Sequence, residues 1–152
     1  MNRKKAIKKI LSHFNVKIPV NYSVYGYGLV VNTRENTFSH MMIQNPNEKG
    51  FQDDIDKAFS KHYKQTIDLP ISEELFSILH EIGHIKADNM DFEEYSEDVE
   101  TLTQLYTSNL ISIEQYIQFY TEIEAEADAN RWAIAWVKSN PELAKRFDRF
   151  MR

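Results

Sequence analysis

His80, Glu81 and His84 stand in the order H-E-x-x-H, within the stretch SEELFSILHEIGHIKAD at residues 72–88. On a helix, residues four apart lie about one turn apart and point the same way. Two imidazoles placed so can grip one zinc ion. Glu81 is turned roughly 100° from His80. It does not share the ion with both histidines, but its carboxylate can reach a water held there and accept its proton. A catalytic zinc takes three protein ligands and keeps one position open. The chain has no cysteine, so the third ligand must be a carboxylate or another histidine from a second element. The stretch EIEAEADANRWAIAW offers Glu122, Glu124, Glu126 and Asp128. Acids set between alanines on a largely buried helix call for compensation, because unpaired buried carboxylates are costly. A metal supplies it. Most of these acids are expected to face water; only one need be a ligand.

The helix that carries the histidines is written plainly. Leu75, Phe76, Ile78, Leu79, Ile82 and Ile85 give a 3.6-residue pattern with one wide buried face. Ser72 is the expected N-cap, with Glu73 and Glu74 in the first turn, where the macrodipole favours negative charge. Lys86 lies near the other end, and Asp88 and Asn89 mark the stop. Gly83 costs about 1 kcal/mol relative to Ala inside a helix, which implies that another element approaches there. Alanines 125, 127, 129 and 133 would let the acidic helix be that element.

The rest of the chain supplies the frame. Residues 3–14 form an amphipathic helix, with Ala6, Ile7, Ile10, Leu11 and Phe14 inward and a solvated basic face outward. Pro19 ends that region. Residues 22–43 read as a hairpin, with strands near 24–31 and 37–43 around the turn NTREN. Gly26 and Gly28 mark a bulge or a close backbone approach, and an exposed edge could pair with an extended peptide. His40, a lone strand histidine, stays out of the site. A loop, QNPNEKG, precedes a short helix at 53–64 with His62 on its polar side. Residues 88–100 hold seven acids and no Lys or Arg. They lack the central Gly of a calcium loop and read as a solvated loop leading into a helix at 97–106 capped by Ser96. Residues 112–138 read as one long helix opened by a capping box of Ser112 and Gln115. A last helix follows Asn140 and Pro141, bearing Leu143, Phe147, Phe150 and Met151.

HEIGH, followed downstream by EADANRWA at residues 126–133, resembles the ImmA/IrrE family of zinc metallopeptidases. In that family H-E-x-x-H precedes a helix of the form E-x-x-A-N-x-(aromatic)-A whose Glu is the third ligand. Matching residue by residue puts that role on Glu126, and puts the supporting role one turn later on Asn130, where ligand orientation is set. A register using Glu124 would place Asn130 where the aromatic belongs. The resemblance covers roughly residues 70–135. The gap between the two motifs is long, and residues 44–70 look inserted. What the resemblance implies is an α+β, zincin-like fold, mostly helical, with a small N-terminal hairpin packed near the H-E-x-x-H helix. It also implies a zinc-dependent endopeptidase of the cytoplasm acting on a regulatory protein, such as a repressor or transcription factor. His80, His84 and Glu126 would hold Zn²⁺, with Glu81 as the catalytic base. The alternative is a metal-containing regulator that binds a partner without cleaving it.

At 152 residues, 42% hydrophobic and 12% aromatic, with four Gly and four Pro, the chain suits one globular domain over residues 1–152. A net charge of −5 offers no general attraction to nucleic acid, and no helix-turn-helix pattern is present. The basic N-terminus has no apolar run behind it and does not read as a signal peptide; no stretch is long enough to span a bilayer.

Overall fold

A computed structural model describes residues 2–24, 26–32, 34–45, 53–87 and 90–151. Helix α1 (Arg3–His13) is capped by the Asn2 side chain, which accepts from the Lys5 amide at 2.8 Å. It buries Ala6, Ile7, Ile10 and Leu11, the apolar stripe expected for it. Strands β1 (Val20–Ser23), β2 (Gly28–Asn32) and β3 (Thr37–Gln44) follow. Then come α2 (Asp53–His62) with a π-helical turn (Tyr63–Ile67), α3 (Glu73–Ala87), α4 (Phe92–Thr107), α5 (Ile113–Glu122), α6 (Glu124–Ser139) and α7 (Pro141–Met151). The protein is mostly helical with one small three-stranded sheet, an α+β arrangement.

The sheet differs from a simple hairpin. Its order is β1-β3-β2, with β1 parallel and β2 antiparallel to a central β3. The strand expected near 24–31 begins only at Gly28, and an unexpected strand, β1, lies before it at Val20–Ser23; between them Gly26 takes φ 90°, a left-handed conformation that glycine adopts without a Cβ penalty. On β3, Met41 and Ile43 point into the core while His40 and Gln44 do not, the two-residue alternation of a strand covered on one face.

The main core lies between this sheet and the helices α1, α3, α6 and α7. Its heart is α3, which buries Leu75, Phe76, Ile78, Leu79, Ile82, Gly83 and His84. The Ser72 hydroxyl oxygen accepts from the Leu75 amide at 3.1 Å, as an N-cap should. The buried carboxylate of Asp148 on α7 accepts in turn from the Ser72 amide and hydroxyl, tying the chain's last helix to the start of α3. The expected stop at Asp88 and Asn89 lies outside the described residues, as do residues 46–50 of the expected loop QNPNEKG.

Three helix boundaries depart from the sequence reading. The helix expected at 97–106 begins at Phe92, because the Asp91 side chain accepts from the amides of Glu93 and Glu94 and caps it first; Ser96 sits inside it. The helix expected at 53–64 turns π-helical from Tyr63 and stops at Asp68, whose φ is 44°. The long helix of 112–138 is two helices, broken at Ile123 in an extended conformation (φ −55°, ψ 129°). The Ser112–Gln115 capping box is present.

Candidate metal centre

The centre is built where α6 crosses α3. A Cβ placed on Gly83 would lie 2.7 Å from the carbonyl oxygen of Ala129 and 3.1 Å from its Cα. Only a glycine therefore lets the two backbones meet at this separation. Glu126, Ala129, Ala133 and Val137 form the buried face of α6, so contact through Gly83 and Ala129 carries Glu126 to the face of α3 that bears the histidines.

His80, His84 and Glu126 each offer one donor atom, and these lie within 4.8 Å of one another. The Nε2 atoms of the two imidazoles are 3.1 Å apart. Glu126 Oε2 lies 2.7 Å from His80 Nε2, and Oε1 lies 3.3 Å from His84 Nε2. Tetrahedral ligands at about 2.0–2.1 Å from zinc would hold their nitrogens about 3.3 Å apart. The donor set of two imidazoles and one carboxylate thus fits a metal ion in chemistry and in spacing. Asn130 Oδ1 is 2.7 Å from His80 Nδ1. It accepts a hydrogen bond from Nδ1–H, which in the neutral ring leaves the Nε2 lone pair free for a metal ion. His84 Nδ1 is buried without a hydrogen-bond partner among the described residues.

The charges are strongly coupled. Burial pushes the His80 imidazole down, but the hydrogen bond and charge of Glu126, the charge of Glu81 and the contact with Asn130 together raise it to about 9. Burial pushes Glu126 up, but the hydrogen bonds and charges of both histidines hold its carboxyl well below the usual range. Glu81 is half-buried on the same helix. Burial raises its carboxyl, the two imidazoles oppose this and Glu126 reinforces it.

Of the four acids considered as third ligand, only Glu126 is brought to the histidines. Glu122 and Glu124 are exposed, and Asp128 pairs with Arg131. His40 contacts Ser39, and His62 lies beside a different cavity. Two residues escaped the sequence reading. Tyr95 on α4 donates its hydroxyl to Glu126 Oε1 at 2.5 Å, and Tyr120 on α5 donates to the same oxygen at 3.0 Å. Burial, reinforced by the Glu126 charge, raises both phenols well above their ordinary value. In an unbroken helix Tyr120 and Glu126 would sit roughly 120° apart and about 9 Å along the axis, so only the break at Ile123 allows their contact. Tyr95 lies in the acidic run, where nothing in the spacing singles it out.

A cleft of about 390 Å³ opens beside His84, lined by Phe38, Ile85, Met90 and Phe92 among others. A larger cavity of about 710 Å³ lies between α2 and α5 and touches none of the three donors. Donor atoms, not cavity size, therefore mark the site. Comparison of the chain with protein-family models, curated proteins and solved structures finds no significant match. The resemblance to ImmA/IrrE peptidases accordingly rests on the motif residues themselves.

Proposed function

We propose that this protein is a zinc-dependent endopeptidase with a zincin-like fold. The observation that carries the reading is the convergence of Glu126 on His80 and His84, with Glu81 beside them on the same helix. His80, His84 and Glu126 are the residues that would hold zinc, and Asn130 keeps the His80 ring in place. Zinc held there would supply a Lewis acid that polarises a scissile carbonyl and acidifies water. Glu81 takes the proton of the attacking water and returns it to the leaving amine. The apolar cleft beside His84 offers room for the chain of a polypeptide substrate. By the family resemblance that substrate is a regulatory protein of the cytoplasm. Among the described residues no helix is long and apolar enough to cross a membrane.

Metal content of the purified protein tests the reading. We expect about one zinc per chain in the wild type and in Glu124→Ala, and loss of zinc in Glu126→Ala. Glu81→Gln should keep the metal and lose hydrolysis. A wild-type protein that takes up no zinc when zinc is supplied would overturn the proposal. Biological activity that survives Glu81→Gln would instead mark a regulator that works by binding.

A further inference from the structure

We propose that Tyr95 and Tyr120 are positioning residues of the metal centre, whose hydroxyls occupy Glu126 Oε1 and leave Oε2 as the oxygen that meets the ion. The inference rests on the metal reading above and specifies how the third ligand binds.

Three helices converge on that one oxygen: α4 brings Tyr95, α5 brings Tyr120 and α6 brings Glu126. The two phenol oxygens are also 3.1 Å from each other. An ionised carboxylate is acceptor-only, with about two lone-pair directions on each oxygen. Two hydroxyls at 2.5 and 3.0 Å fill those of Oε1. Oε1 also lies 3.3 Å from His84 Nε2, but Oε2 comes closer to an imidazole, 2.7 Å from His80 Nε2, and neither hydroxyl is on it. A carboxylate with both oxygens free could chelate the ion through the pair and fill the position a catalytic zinc must keep open. Engaging one oxygen prevents that and stops the carboxylate from rotating. The same contacts account for the helix break. Ile123 interrupts the helix with neither Gly nor Pro at hand, and the interruption is what lets Tyr120 turn back onto Glu126.

The test compares wild type, Tyr95→Phe, Tyr120→Phe, the double variant and Tyr116→Phe. Tyr116 is the control, because its ring stacks on Tyr120 while the hydroxyls on Glu126 Oε1 are those of Tyr95 and Tyr120. Zinc affinity is read by competition with a chromophoric chelator, and coordination by the visible spectrum of the cobalt(II)-loaded proteins. Each single variant at the carboxylate should bind zinc about 10-fold more weakly and the double variant up to about 100-fold. The cobalt bands of the double variant should lose intensity as Oε1 joins and the coordination number rises. The control should match wild type in both. A double variant that melts lower yet binds zinc within about twofold of wild type, with an unchanged cobalt spectrum, would overturn the inference and leave the hydroxyls a purely structural role. If the double variant does not fold, the single variants decide by the same two readouts. Failure of the wild type to take up either metal would overturn the metal reading itself, an outcome distinct from equal binding by all five proteins.

Discussion

Two pairs of helices meet at the candidate metal centre and are held by different forces. The α3/α6 pair is packed backbone against backbone at Gly83 and Ala129, inside a core of Leu75, Ile78, Leu79, Ile82, Ala133 and Val137. The α4/α5 pair is thinly anchored: α4 buries only Phe92, and α5 only Tyr116 and Ile117. The donor atoms all come from the first pair. The second contributes two hydroxyls to one carboxylate oxygen. The division fits the demands of such a site. Ligand geometry must be held within about 0.5 Å, which needs a scaffold locked by packing. A layer that borders the site can instead be one that opens at low cost.

The contrast should appear most strongly in stability. Leu79→Ala removes a fully buried side chain from the middle of α3 and should cost about 2–5 kcal/mol in urea denaturation. Leu105→Ala on α4, where the side chain is half-buried, should cost about 1 kcal/mol or less. Equal costs would dissolve the distinction between the two pairs. Gly83→Ala comes next. The added methyl must push Ala129 away, at about 1–3 kcal/mol of overpacking. Because that contact sets the distance from Glu126 to the histidines, zinc uptake should fall with the melting temperature. An alanine variant with wild-type stability and full zinc content would show that the close approach is not what builds the site.

The same division governs what could be read from the amino-acid sequence. The α3 helix was legible almost to the residue, because cap, apolar period and glycine are all local signals. The place of Glu126 beside the histidines was legible in part: acids among alanines on a buried helix need a partner, which left four candidates, and the family resemblance singled out Glu126. The sheet was only half legible: β1 pairs in parallel with the central β3, on the side away from β2, a non-local pairing that no turn signal announces. The interruption at Ile123 and the approach of Tyr95 were not legible at all. Both follow from hydrogen bonds to a carboxylate on another helix, and tertiary contacts of this kind override local helix preference. Ser96 was a sound cap by type, but Asp91 stands earlier and engages two amides.

Smaller effects sharpen the comparison. Asn130→Ala leaves the packing of α3 on α6 intact but frees the His80 ring, so zinc affinity should fall about 10-fold, with little change in melting temperature. A large loss of stability would instead make Asn130 part of the frame.

The smallest effect is expected at the outer edge of the second pair. Asp91→Ala deletes the cap of α4 while touching neither the core nor a donor atom. Its loss leaves the Glu93 and Glu94 amides without their acceptor, and the first turn of α4 should fray. Amide hydrogen exchange of residues 93–96 should quicken while the exchange of α3 and α6 stays unchanged, since the two pairs open independently. Tyr95 lies in that first turn, so a frayed α4 loosens one of the two hydroxyls on Glu126. Zinc affinity should then decline slightly, and by less than in Tyr95→Phe, because the hydroxyl is still there to return. Exchange that quickened equally in α3 would mean that the four helices open as one unit, and the distinction between scaffold and cover would fail.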